Sequence, residues 1–375
     1  MANTLKFGNG NWATKEGSTL AYNDQNGNFK PLPFDFSRAS KATVINKDGL
    51  IEEVGSGQPR IDYKDDSKGA LLLEPSRSNL VSYSEDFSNS YWNTNSNTSR
   101  SLSSNLSPEG TANAYRVEAV SGTQVGYVGV TTIGTTITHS VYVRRVSGST
   151  TFNMVDVNNS ATQVDITNEW KRFSVTAVAT STNLRSYLRL NQVGDVVEIF
   201  GFQAEQGSYP TSYIPTQGSA VTRLSELSPF ERTDLVSKNL VGSTEMTWFL
   251  DSYLFNRDAT SVSPKISNVS NGNIFIGLNV TNDTSLNIRH KDGTSASNTS
   301  SVSFTNGQRV KVAIKIIGTS ATAFINGVDV GDFTTASITS FDKFASANGN
   351  PYNINDLRFY NTALTDAELI ALTQV

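Results

Sequence analysis

Val310-Lys311-Val312-Ala313-Ile314-Lys315-Ile316, followed by Ala323-Phe324-Ile325-Asn326-Gly327-Val328-Asp329-Val330, is the stretch that decides the fold class. In its first half Val310, Val312, Ile314 and Ile316 alternate with Lys311, Ala313 and Lys315. A period of two places one set of side chains on each face of a strand, so one face is dry and the other wet. In its second half Asn326-Gly327 stands between two apolar runs. A two-residue hairpin loop needs φ > 0 at both central positions, which Asn and Gly accept at little cost. The stretch therefore predicts neighbouring antiparallel strands with an apolar face that something must cover.

The same signals recur outward from it. Met246-Thr247-Trp248-Phe249-Leu250 reads as an early strand of this C-terminal block, with further strands over 274–278 and 285–289. Upstream, Phe173, Val175 and Ala177 alternate with Arg172, Ser174 and Thr176, and 140–145 and 196–203 read likewise, each with one dry and one wet face. Thr43-Val44-Ile45 and Leu50-Ile51 flank Asn46-Lys47-Asp48-Gly49, a hairpin whose loop closes on Gly. Leu71-Leu72-Leu73 ahead of Glu74-Pro75 reads as a strand buried on both faces, ending where Pro withdraws its N–H. Residues 1–33 are polar and rich in Gly and Asn. The turn dipeptides Asn9-Gly10 and Asn26-Gly27, with Leu5/Phe7 and Leu20/Tyr22 alternating on either side, predict a small hairpin unit or an attachment arm.

One helix is predicted, at the C-terminus. Thr365 and Glu368 have the spacing of a capping box, and Leu364 and Leu369 that of a hydrophobic staple. At about two turns it is too short to stand alone and must pack through Leu369, Ile370 or Leu372. No heptad run encodes a coiled coil. The fold class is all-β, as tandem β-sandwiches. The domain boundaries are 1–33 (attachment region), 34–82 (hairpin-rich connector), 83–220 and 221–375 (one sandwich each).

Composition narrows the chemistry. Of 375 residues 37% are hydrophobic and 17% charged, and the net charge is −4. Ser, Thr, Asn and Gly fill the difference, as expected for short strands joined by polar turns. No basic run provides a footprint for nucleic acid. The complete absence of Cys excludes disulfides, thiolate metal sites and a Cys nucleophile. No apolar run approaches the ~20 residues that span a bilayer, so a soluble chain is expected. The opening residues show no signal peptide. A role outside the cell would then need a route other than cleavable-signal export, which lysis would provide.

No catalytic residue is assigned. His139 and His290 are the only histidines, no G-x-S-x-G elbow exists, and both read as structural or surface residues. Glu52/Glu53 and Asp65/Asp66 are adjacent in sequence, so strand geometry would part them, and they read as solvated turn charges. The segment Asp24-Gln25-Asn26-Gly27 fails the EF-hand pattern at Tyr22 and Pro33 and reads as a turn. Trp170 and Trp248 lie in alternating strands and are expected in cores, and no binding site is assigned to Tyr91-Trp92. Aromatic faces do suit sugar stacking, but no glycan-binding residue is assigned.

Two resemblances cover most of the chain. Phe36-Ser37-Arg38-Ala39-Ser40, Gly49-Leu50-Ile51, Gln58-Pro59-Arg60-Ile61-Asp62-Tyr63, the run 71–80 and Tyr83-Ser84-Glu85-Asp86-Phe87 together resemble a segment of phage tail, fibre and head-decoration proteins. Its continuation here, Trp170-Lys171-Arg172-Phe173, the run 201–207, 211–216 and Val221-Thr222-Arg223, is similar to a carbohydrate-binding-module jelly roll. Residues 323–330 with 355–369 resemble the end of laminin-G and concanavalin-like lectin domains. The resemblances imply a virion surface protein, either a head fibre, a decoration protein or a tail fibre. It would attach to other virion proteins through its N-terminal region and present lectin-like loops to bacterial surface glycan. By analogy they imply a homotrimer. Lectin domains of this kind often hold calcium by loop acids and Asn. No loop here has that spacing, so no metal ligand or cofactor is assigned. The rival readings are a capsule-degrading enzyme, a structural cement protein without ligand, and a secreted adhesin.

Overall fold

The alternating run at 309–317 forms strand Arg309–Ile317, with Val310, Val312, Ile314 and Ile316 buried and Lys311 and Lys315 partly exposed. It pairs with Ser320–Ile325, which turns through Asn326 (φ 49°) and Gly327 (φ 80°) into Val328–Thr334. Both φ values are positive, as the loop length requires. The computed structural model describes residues 4–10, 12–14, 20–23, 29–31, 36–94, 98–121, 124–226, 242–254, 262–267, 274–281, 284–305, 307–341, 343–345 and 352–375. The Asp24 turn, Asn26-Gly27 and Pro33 lie outside the described residues.

The chain is nearly all β and divides into two compact units, each discontinuous in sequence. The first comprises 1–39, 54–75 and 225–375, and the second 40–53 and 76–224. The sequence expectation was four consecutive segments. The difference arises from strand pairing. Thr4–Gly8 pairs with Tyr352–Tyr360, and Ala70–Leu73 pairs with both Tyr352–Tyr360 and Arg60–Asp62. Residues predicted as an arm and a connector are thus strands of the first unit's sheet. Their partner strand Tyr352–Tyr360 lies at least 279 residues away (Leu73 with Tyr352), beyond the reach of local pattern.

In the first unit this eight-stranded sheet faces a six-stranded one containing Val262–Ser267, Ile274–Thr281 and Ser285–Asp292. Trp248, Leu250, Val312 and Ile314 from one sheet and Ile266, Ile276, Leu278 and Ile288 from the other form a single core, as a β-sandwich requires. The helix Asp366–Thr373 begins at Thr365 with both capping-box hydrogen bonds. It covers the outer face of the larger sheet, where Leu369 packs with Phe249, Ala313 and Phe324 beside Leu364 and Leu372. Ile370 stays exposed. Leu71–Leu73 are buried on both faces, as read from sequence.

The second unit is a sandwich of two five-stranded sheets whose facing residues, among them Phe152, Leu188, Val141 and Phe202, share one core. Strand Lys171–Val178 alternates as expected, with Phe173 and Val175 inside. Strand Val196–Gln206 does not. It was expected to have a wet face, yet ten of its residues are buried, including Glu198, Gln203 and Glu205. Part of the reason is that its outer face is covered: Ile51 of the 42–54 hairpin and Tyr213 pack on Phe200. Polar residues on a covered face need partners, and they have them. Glu205 accepts the backbone N–H and hydroxyl of Thr211 at 2.9 and 2.7 Å, and Gln203 accepts from the N–H of Ile214 at 2.7 Å.

Candidate functional site

In the second unit two stretches distant in sequence are laced together. Ser84 and Thr216 exchange four hydrogen bonds, the N–H of Ser84 donating to Thr216 Oγ1 at 3.0 Å and to the Thr216 carbonyl at 3.2 Å, the N–H of Thr216 to Ser84 Oγ at 2.8 Å, and Ser84 Oγ to the Thr216 carbonyl at 3.3 Å. Tyr83 bridges to Gln217, and the Gly218 N–H donates to the Ser82 carbonyl. Tyr213 lies beneath, its hydroxyl 2.7 Å from Ser84 Oγ and donating to Glu85 Oε1 at 2.8 Å. Above this seam opens a cleft of about 430 Å³, lined by Glu85, Asp86, Leu102, Asn113, Tyr115 and residues 215–217.

Its electrostatics differ from one wall residue to the next. Burial, reinforced by the charge of Glu109, pushes the Glu85 carboxyl above the ordinary range, against the Tyr213 hydrogen bond. The Ser88 hydroxyl, with further donors from Tyr115 and backbone N–H groups, holds Asp86 below it. The two neighbouring acids are thus pushed in opposite directions from their ordinary ranges. Asn113 donates to Glu109 at 3.1 Å, and its Oδ1 is buried without a hydrogen-bond partner among the described residues. Tyr115 is fixed by its hydrogen bond to Asp86 at 3.1 Å and by an edge contact with Phe87. The wall is thus rich in fixed acceptors, with apolar surface from Leu102.

The residues singled out in the sequence lie elsewhere. Glu52 and Glu53 are exposed, Glu53 pairing with Lys41 at 2.6 Å. Asp66 caps its own turn and accepts from Asn355 at 2.9 Å. His139 is fully buried in strand Thr136–Ser147 between the core residues Ile137 and Val141, and neither ring nitrogen has a partner. Desolvation pushes its pKa down to about 3. His290 stacks on Phe333 at 4.3 Å. Trp248 and Trp92 are core residues, and Trp170 is partly buried against the Ile51, Phe200 and Tyr213 cluster. Among the described residues no group of three or more His, Asp or Glu is placed to hold a metal ion. No helix there is long and apolar enough to cross a membrane. The cleft itself was not read from sequence. Glu85 and Asp86 were quoted only as part of a motif, and the seam that makes them a wall joins residues about 130 apart.

The motif residues of the N-terminal segment converge on a different feature, inside the first unit. Arg60 places Nη2 2.7 Å from Glu226 and 2.9 Å from Glu74, and Arg38 lies 3.0 Å from the same Glu226 oxygen. Arg38 also donates to the carbonyls of Gly55 and Gln58 at 2.6 and 2.9 Å. All four side chains are buried. Burial opposes the Arg60 cation, and the charges of Glu226 and Glu74 more than offset it, raising its pKa. This buried network acts as a clamp on the chain.

Residues 248–370 match the family described as the concanavalin A-like lectin/glucanases superfamily. This domain is concanavalin-like. It falls within the first unit's sandwich and takes in the strand whose hairpin decided the fold class. No curated protein matches the chain. Among solved structures, the Ruminococcus gnavus IT-sialidase CBM40 bound to α2,3-sialyllactose is 17% identical, covers 38% of this chain and 92% of its own, and has a TM-score of 0.31. The leech intramolecular trans-sialidase complexed with 2,7-anhydro-Neu5Ac is 17% identical over 40% of this chain and 26% of that one, with a TM-score of 0.32. A Trypanosoma rangeli sialidase is 14% identical over 35% and 22%, with a TM-score of 0.29. This chain spans less than a third of the length of either of the latter two.

Proposed function

We propose that the chain is an adhesive structural component of a bacteriophage particle, a head fibre, decoration protein or tail fibre, that holds bacterial surface glycan on lectin-like β-sandwiches without cleaving it. The observation that carries the binding half of this reading is the concanavalin-like domain over 248–370. The particle half draws on the ordered motifs of 36–87 and 170–223. Several of these supply buried clamps such as Arg38–Glu226 and Glu205–Thr211, the kind of reinforcement that suits a chain without disulfides. Contacts with other particle proteins through the N-terminal region and assembly as a homotrimer complete the reading. Weak single sites on a multivalent particle gain about 10²–10⁴ in avidity.

A second reading, a polysaccharide-degrading enzyme, draws on Glu85 and Asp86, whose environments push them in opposite directions in one cleft. Binding is favoured over it because the Asp86 carboxylate is already engaged by Ser88 and Tyr115, which leaves it poorly placed as a base. Three measurements decide. A glycan array is expected to show binding, and host polysaccharide to keep its viscosity and reducing-end count after incubation. Antibody against 221–375 is expected to decorate phage particles in negative stain. Loss of viscosity would install the enzyme reading, and particles without label would remove the virion assignment.

A further inference from the structure

The acceptor-rich cleft of the second unit carries information about ligand charge, provided the chain binds glycan as proposed above. Its volume of about 430 Å³ falls within the roughly 300–1,000 Å³ in which small ligands are held. Asn113 Oδ1 is buried and accepts no hydrogen bond from any described residue. One Glu85 oxygen accepts from Tyr213, and the other has no protein donor among the described residues. The hydroxyls of a sugar can supply donors to acceptors of this kind. Leu102, 62% exposed at the rim, offers apolar surface to the C–H face of such a ring.

We infer that this cleft is a glycan subsite of the second unit and that it takes an uncharged sugar residue while rejecting sugars that carry a carboxylate. Among the described residues no Lys or Arg lines it. Arg100, which is not among the lining residues, donates Nη1 to the Phe87 carbonyl while its charge acts on Asp86. Glu109 stands behind Asn113 and adds negative charge. An incoming carboxylate would meet Asp86 and Glu85 with no cation to receive it. Discrimination by an unpaired like charge is a standard route to specificity.

The test uses the full chain on an array of matched oligosaccharides, lactose against 3′-sialyllactose and neutral against uronate-containing bacterial fragments, followed by calorimetry on the best neutral member. Neutral members are expected to bind at least about tenfold more tightly than their carboxylated partners. Asn113→Ala and Leu102→Arg are each expected to weaken the neutral probe by about tenfold or more, and Glu85→Gln to narrow the neutral preference. Leu102 is on the surface, so its variant keeps the test open if Asn113→Ala fails to fold. Equal or tighter binding of carboxylated members overturns the inference, as does unchanged affinity in both cleft variants, and either leaves glycan binding itself standing. Binding to no member by the full chain removes the glycan reading and this inference together.

Discussion

Arg60 and Glu226 lie 166 residues apart and meet through Arg60 Nε at 2.8 Å and Nη2 at 2.7 Å, with neither side chain reaching solvent. The contact ties the strand Arg60–Asp62 to the stretch that follows the second unit in sequence. Glu226 Oε2 also accepts the Glu74 backbone N–H at 2.9 Å, so a single carboxylate holds three separate segments of the first unit.

Removing that carboxylate leaves two buried guanidinium groups under-compensated, which typically costs about 3–5 kcal/mol. Glu226→Gln is expected to lower unfolding free energy in urea by that order. The double replacement Arg60→Met, Glu226→Met is expected to cost less than the sum of its single changes, because the stranded charge is the expensive part. A cost for Glu226→Gln below about 1 kcal/mol would show that the network is not a clamp.

His139 makes the second unit acid-sensitive. Its folded-state pKa of about 3 lies below the unfolded value of about 6.5. Between those values the unfolded chain binds a proton that the folded chain refuses, so stability falls as pH falls from about 6.5 toward 3. The slope approaches about 1.4 kcal/mol per pH unit. His139→Leu removes this dependence together with two unpartnered ring nitrogens. It is expected to be at least as stable as the parent at pH 7 and flatter in acid, and thermal unfolding from pH 7 to 4 compares the two. Parallel pH profiles would refute the assignment.

Gly8 has φ 97°, and a β-carbon there would stand 2.3 Å from the Asn355 carbonyl oxygen. That oxygen accepts the Asn9 N–H at 2.6 Å. Gly8→Ala is therefore expected to cost about 1–3 kcal/mol from backbone strain alone and to loosen strand Thr4–Gly8 from Tyr352–Tyr360. Faster amide exchange in residues 4–9 than in the parent reports the loosening.

At the C-terminal helix, Thr365 accepts the Glu368 N–H while Glu368 accepts the Thr365 N–H at 2.8 Å. Thr365→Ala removes one half of this exchange and is expected to cost about 1 kcal/mol. Leu369→Ala, at a position fully buried against Phe249 and Phe324, is expected to cost about 2–5 kcal/mol. Denaturant midpoints rank the two variants, and the reverse order would mean that the cap and not the packing anchors the helix.

Local pattern by itself determined the strands, their turns and the terminal helix. The apolar face at 310–316, the Asn326-Gly327 loop, the Leu71–Leu73 strand and the Thr365 cap all depend on neighbours a few residues away, and each formed as read. The expected wet face of 310–316 is buried at Ala313, where the helix covers it. Tertiary structure alone decided what depends on distant partners. The 196–206 strand lost its wet face because Tyr213 and Ile51 cover Phe200. Residues 4–8 and 60–73 joined the sheet of 352–360 because an unpaired sheet edge takes strands from anywhere in the chain. His139 became an orphan because its neighbours on the same face are Ile137 and Val141. The cleft exists because Ser84 finds Thr216 across 132 residues, and no local period records a meeting of that kind.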